Sequence, residues 1–280
     1  MSAGEGRAGR SRGRARLDRG SAELGADQQL LVAGRNAVAE AIRAGIPASE
    51  LLISEGLIAG GRVWGLRQVA EEHGIEVVLR PAAVIEQLCR GMHHQGVALR
   101  LLALPESPSL KQVLAQVAGR PCLLLLCDSI LDPHNLGAII RSALAAGADA
   151  VIVPRHGAAW VTPAVVAASA GAVFHLRPCR VGSMASALES IRQAGIWVVT
   201  ADARAPICYD AVDLSGRVAL VIGSEGRGVR PLLRRRSDFE VRIPTVGAVG
   251  DLNAAVAASI LLFEAARQRR ITTAGTGLAT

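Results

Sequence analysis

Residues 121–154 read PCLLLLCDSILDPHNLGAIIRSALAAGADAVIVP, and the reading of this stretch decides the fold. PCLLLLCD is a continuous apolar run bounded by turn residues, the pattern of a strand buried on both faces. The turn SILDPHN follows, with Asn135 placed to cap a helix starting at Leu136. LGAIIRSALAAG reads as that helix, and ADAVIVP (148–154) is a second apolar strand. Alternating β and α units of this kind imply a mostly parallel sheet. One residue is discordant. Arg141 puts a permanent cation two turns into a helix that otherwise reads as buried. Desolvating a guanidinium is costly unless something anionic or polar receives it, so a structural partner or a substrate has to be found.

Downstream the alternation continues. VFHLRP (173–178), GIWVVTA (195–201), RVALVIG (217–223) and FEVRIP (239–244) read as strands. TPAVVAASAGA and SMASALESIRQAG read as helices, and a final helix over 251–270 ends in EAARQRR, whose cations suit a helix C-terminus. Upstream, 28–103 alternates in the same way and forms a smaller α/β domain. Its strands are the apolar start of QLLVAG, ELLIS (50–54), IEVVLR and QGVALRLLAL. Its helices follow Asn36, span 62–74 and start with Pro81 at the first position. PESPS (105–109) marks a linker. The expected organisation is an arginine-rich arm (1–27), the smaller domain (28–103), a linker (104–118), the larger domain (119–271) and a tail (272–280).

Composition sets the class. Half of the 280 residues are hydrophobic but only 2% are aromatic, so Ala, Val, Leu and Ile build the cores. No apolar run reaches the roughly 18 residues of a membrane span, and the polar N-terminus carries no signal-peptide apolar region. Cys89, Cys122, Cys127, Cys179 and Cys208 are odd in number and scattered, which argues against a disulfide framework or a zinc site and for reduced thiols in a cytoplasm. Of the net charge of +7, more than half lies in the first twenty residues, where six arginines face Glu5 and Asp18. Such an arm is a solubilising tail or a non-specific grip on phosphates. GEGRAG (4–9) matches a dinucleotide fingerprint by letter only, because no strand precedes it and no helix follows. A nucleotide-binding oxidoreductase is therefore not supported.

Ligands of open α/β sheets bind beyond the carboxyl ends of the strands, and three stretches lie there. The first is DPHNLGAIIRSA (132–143), where Gly137 allows a close approach of ligand or backbone. The second is LVIGSEGRGV (220–229), a Gly-rich turn with one carboxylate and no Walker-type lysine. The third is IPTVGAVGDLNAAVAASILLFEAARQR (243–269), in which Asp251 could simply complement the helix dipole. Arg227, Arg230 and Arg234-Arg235-Arg236 could contact RNA or form a solvated face, and His93 and His94 read as structural turn residues.

Taken together and in order, the three stretches resemble the SpoU (TrmH-type) RNA ribose 2′-O-methyltransferases of the SPOUT superfamily. With VAGRNAVAEAIRAG and HHQGVAL (93–99), the smaller domain looks like the L30e-like RNA-binding domain of the branch that methylates a guanosine of bacterial large-subunit (23S) rRNA. The resemblance implies a trefoil-knotted, mostly parallel α/β sheet with helices on both faces, S-adenosylmethionine as cofactor, RNA as substrate, a homodimer, and neither a metal nor a membrane. Carried over by motif, the catalytic positions are Asn135, Arg141, Glu225, Asp251 and Asn253. Thr200, Ala201, Gly223, Ile243 and Leu252 would line the cofactor pocket. Arg141 would hold the substrate phosphate and ribose, either free or oriented by Glu225. The chain departs from the family at Asp251, where serine is usual, and at Ala254-Ala255, where a further hydroxyl is usual. Asp251 could pair with Arg141, accept the 2′-hydroxyl proton, or repel RNA phosphate and alter the activity. The rival readings are the same reaction on tRNA and a non-catalytic RNA-binding or ribosome-assembly protein.

Overall fold

The structure is a computed structural model that describes residues 31–57, 61–104, 106–247 and 251–276. The arginine-rich arm and the GEGRAG match lie outside the described residues.

The smaller domain runs β1 (Leu31–Ala33), α1 (Arg35–Arg43), β2 (Ala48–Ser54), α2 (Arg62–Glu72), β3 (Glu76–Arg80), α3 (Ala82–Cys89) and β4 (Val97–Leu101). Its sheet has the order β1-β4-β2-β3 and is mixed, with β2 and β3 parallel and β4 antiparallel to both its neighbours. Pro81 caps α3 rather than occupying its first turn.

The larger domain runs α4 (Leu110–Gln116), β5 (Cys122–Asp128), α5 (Pro133–Ala145), β6 (Ala150–Pro154), α6 (Pro163–Ala168), β7 (Cys179–Val181), α7 (Met184–Gln193), β8 (Trp197–Ala201), β9 (Ile207–Cys208), β10 (Arg217–Gly223), α8 (Pro231–Arg234), β11 (Phe239–Arg242) and α9 (Ala254–Thr276). The seven strands lie in the order β7-β6-β5-β10-β8-β11-β9, and every pairing is parallel. Strand β5 shows why its sequence is apolar without alternation. Leu123, Leu125 and Cys127 enter one core with Leu136, Ile139 and Leu261, while Cys122, Leu124 and Leu126 enter the opposite core with Val113, Leu188 and Leu233. Helices therefore cover both faces, and each buried leucine contributes about 1.5–3 kcal/mol of transfer free energy. The first core continues into the smaller domain through Val38, Ile42 and Leu51, so the two domains share one apolar interior.

Three local expectations change. Helix α5 starts at Pro133 and its cap is Asp132, whose carboxylate accepts from the His134 N–H at 3.0 Å. Asn135 lies inside the first turn, and its side chain is free to point elsewhere. The run 173–178 is not a strand. Ala172–Phe174 form a 3-10 turn closed by bonds such as Phe174 N–H to Gly171 O at 3.0 Å, and the strand is Cys179–Val181. Val173, Phe174 and Leu176 are buried, and a short apolar run does not by itself distinguish a strand from a helical turn. The stretch read as a linker holds α4, whose Ser109 and Gln112 form a reciprocal capping box and whose Val113 enters the second core.

Candidate active site

Three motif loops, which follow β5, β10 and β11, meet at one end of the larger sheet. Asn253 caps α9, its Oδ1 accepting from the Ala255 N–H at 2.9 Å and the Val256 N–H at 3.3 Å. That duty turns the amide nitrogen outward, where it donates to Asn135 Oδ1 at 3.0 Å and to Glu225 Oε1. Asn135 Nδ2 donates to the same Glu225 oxygen at 3.0 Å. One carboxylate thus binds two amides from elements more than 25 residues apart in sequence on either side of it. Each partner's orientation is set by another bond, so the cluster is preorganised.

The loop carrying Glu225 is tightly wound. The Gly228 N–H donates to Ser224 O at 2.8 Å, and a Cβ on Gly223 would overlap the Gly228 carbonyl. Only glycine fits there. A buried carboxylate pins the far end of this loop. Asp128, fully enclosed at the end of β5, accepts from the Arg230 N–H at 2.9 Å and Nε at 2.8 Å. The sequence offered a signal for this anchor, a lone Asp closing an apolar strand, but no clue to its partner. Gly137, in contrast, faces protein rather than ligand: a Cβ there would lie 2.9 Å from the Ser169 nitrogen, so its close approach is that of α5 to α6.

A cavity of about 560 Å³ opens beside the cluster. Ala201, Gly223, Ile243 and Leu252 line it, together with Glu225 and Asp251. Thr200 is not among its lining residues; it is fully buried, and its hydroxyl pairs with that of Ser237. The wall is apolar at Ile222, Val241 and Ala257, acidic at Asp202, Glu225 and Asp251, and cationic at Arg204 and Arg227. Asp202 is held by Arg234 Nη1 at 2.6 Å, and Arg234 is also bound by Glu240, which keeps its guanidinium charged by raising its pKa. Arg234 therefore braces the site, and Arg236 donates to the Ala185 carbonyl, while Arg235 is exposed.

Arg141 is elsewhere. It is exposed, and among the described residues it has no ion pair, with Glu225 or Asp251 or any other carboxylate. The desolvation problem raised by the sequence does not arise. Arg141 lines a second cavity, of about 730 Å³, in the groove between the two domains. Arg35, Asn36 and Arg43 of α1 share that groove with it, as do Glu40 and His175, which are bonded to each other at 2.9 Å. Asn135 and Arg141 are six residues apart, roughly 240° around the helix, and so face different sides of α5.

The remaining candidates are structural. His94 bridges Glu86 Oε2 at 2.6 Å and the Gly96 N–H at 3.0 Å, and His93 is exposed. Burial pushes the thiols of Cys89 and Cys179 up to about 11 and that of Cys127 to about 12, so they stay protonated near neutrality.

Known proteins match this architecture over both domains. Residues 122–263 match the SpoU rRNA methylase family, and 31–106 match the substrate-binding domain of RNA 2′-O ribose methyltransferases. An uncharacterized tRNA/rRNA methyltransferase of Mycobacterium sp. (strain KMS) is 38% identical over 245 residues, which is 87% of this chain and 78% of that protein. The crystal structure of an RNA 2′-O ribose methyltransferase superposes with a TM-score of 0.72 at 31% identity, covering 87% of this chain and 91% of that one. The SpoU methyltransferase AviRb from Streptomyces viridochromogenes, in complex with AdoMet, superposes at 0.70 with 30% identity, covering 86% and 90%.

Proposed function

Because the chain belongs to the SpoU rRNA methylase family, we propose that it methylates the ribose 2′-hydroxyl of a guanosine in bacterial large-subunit rRNA. The coarser reaction, AdoMet-dependent 2′-O-methylation of tRNA or rRNA, is that of the family. The observation that carries the reading is the Asn135–Glu225–Asn253 cluster, whose Glu225 lines the first cavity. The separate RNA-binding domain supports rRNA over tRNA.

The first cavity suits S-adenosylmethionine. Its volume lies within the roughly 300–1,000 Å³ of small-molecule sites. Ile222, Ile243 and Leu252 would enclose the apolar part of the cofactor, and the carboxylates of Glu225 and Asp251 would complement its positive charge. When bound, the cofactor supplies an electrophilic methyl group. The chain's own residues must then position a 2′-hydroxyl and remove its proton. Asn135 and Asn253, locked by Glu225, fix the loop edges against which the ribose is set. Asp251 is exposed on the lining and unpaired among the described residues, which suits it to receive the proton. Arg141 grips phosphate from the interdomain groove, where Arg35 and Arg43 add two more guanidiniums.

We assign the homodimer contact to α9 and α5. Val256 and Phe263 expose one apolar stripe of α9, Leu144 lies exposed on α5, and the two helices are joined by a Ser259–Ser142 hydrogen bond at 2.8 Å. No helix among the described residues is long and apolar enough to cross a membrane.

The test uses purified protein, tritiated S-adenosylmethionine and separate rRNA and tRNA pools from a cell lacking the enzyme, followed by nucleoside digestion. 2′-O-methylguanosine from rRNA alone is the expected product. Label in tRNA alone would keep the chemistry and overturn the substrate. No label with cofactor binding absent would leave a non-catalytic RNA-binding protein.

A further inference from the structure

The reaction above makes no use of a cationic cluster on the other half of the sheet rim. Arg155 directly follows β6, Arg180 lies on β7, and Trp160 lies in the loop between β6 and α6. The Arg180 guanidinium sits 4.6 Å above the Trp160 ring, and its Nη2 donates to the Arg155 carbonyl at 2.9 Å. The Arg155 N–H in turn donates to Val181 O at 2.7 Å, tying the two strand ends together. Both arginines are exposed, as is neighbouring His156. Among the described residues neither guanidinium has an ion pair with a carboxylate. Burial and the like charge of Arg155 hold the pKa of Arg180 below its ordinary value. Two adjacent cations, one of them partly desolvated against an indole, repel each other unless an anion joins them.

The loop is also tethered to the reaction site. The Ala159 N–H donates to Ile130 O at 2.7 Å, immediately before the turn that leads through Asp132 to Asn135. Strand β6 neighbours β5, which neighbours β10, whose end borders the first cavity. By strand spacing Arg155 lies on the order of 10 Å from β10 and Arg180 about 14 Å, distances that a few nucleotides span.

We propose that Arg155, Trp160 and Arg180 form a platform for a nucleotide of the substrate RNA that flanks the methylated residue. The Arg180 guanidinium plane, backed by Trp160, presents a stacking surface for an unpaired base, and the two guanidiniums clamp the adjoining phosphodiester. A site of this kind selects single-stranded RNA beside the target and sets the register in which the ribose reaches the cavity. The inference rests on the RNA-methyltransferase reading.

The test is steady-state methylation by the full-length protein of whichever purified pool, rRNA or tRNA, the parent modifies, across a salt series. Arg180→Gln and Trp160→Leu are expected to raise KM for RNA roughly tenfold, with kcat and cofactor affinity unchanged. Trp160→Phe should retain most of the affinity, whereas Arg180→Lys, with no planar stack, should not. Arg155→Gln should flatten the dependence of log kcat/KM on log salt by about 0.7. Variants matching the parent in KM and salt slope would overturn the platform and leave the methyltransferase intact. A parent that methylates neither pool would overturn the reading beneath it. Should Trp160→Leu fail to fold, the two exposed arginines decide the outcome.

Discussion

The cofactor-sized cavity and the interdomain groove differ in charged lining and in origin. The first is walled by Asp202, Glu225 and Asp251 and built from loops of one domain. The second is rimmed by Arg35, Arg43 and Arg141 and exists only because the two domains meet, α1 packing against the 3-10 turn Ala172–Phe174 and β1 against α6. The contrast teaches a division of labour. On the proposed function the cationic cofactor takes the first cavity, where Asp251 is unpaired among the described residues, and the RNA takes the groove with three guanidiniums. Interface packing keeps the two sites in register, because both domains share one core.

Substitutions can break that division. The largest effect is expected at Asp251. If its carboxylate takes the proton, Asp251→Asn should lower kcat by about 100-fold or more, while cofactor binding persists. Asp251→Ser, restoring the residue usual at this position in the family the sequence resembles, separates a base from a positioning group. If both variants match the parent across pH, Asp251 is no base. Glu225→Ala should cost about 100-fold in single-turnover methyl transfer, because it releases Asn135 and Asn253 together. RNA affinity should be unchanged, and a loss of RNA binding instead would mean that the first cavity also grips RNA. Arg141→Ala should raise KM for RNA roughly tenfold with little change in kcat. A pure kcat loss would place Arg141 at the reacting atoms, reached through a partner subunit. The smallest effect is expected at Arg43, already engaged by Glu40. Arg43→Gln should reduce the salt slope of RNA binding by no more than about 0.7, measured by titration at several ionic strengths.

Much of this was legible in the chain. The unalternating PCLLLLCD announced a strand covered on both faces, and β5 is fully buried with its residues divided between two cores. Strand-final glycines and the order of three polar motifs marked the loops that meet. Other features were misread for physical reasons. VFHLRP is apolar because it is buried, and burial does not choose between a 3-10 turn and a strand. The capping box of Ser109 and Gln112 was present in the sequence beside PESPS, yet proline and serine content outweighed it.

The case of Arg141 separates the two levels most clearly. Sequence by itself determined the alternation of elements, the parallel sheet, the apolar cores and the set of polar residues at strand ends, because these depend on local pattern and on periodicity. Only the tertiary structure decided that Asn135 turns toward Glu225 while Arg141 turns toward the other domain. It also decided that Thr200 is sealed beneath the pocket, that Arg230 completes Asp128, and that Trp160 backs Arg180. Each of these depends on helix phase and on contacts between distant segments. A residue's type states which interactions it can make, and only the packed chain brings it within reach of one partner and away from the rest.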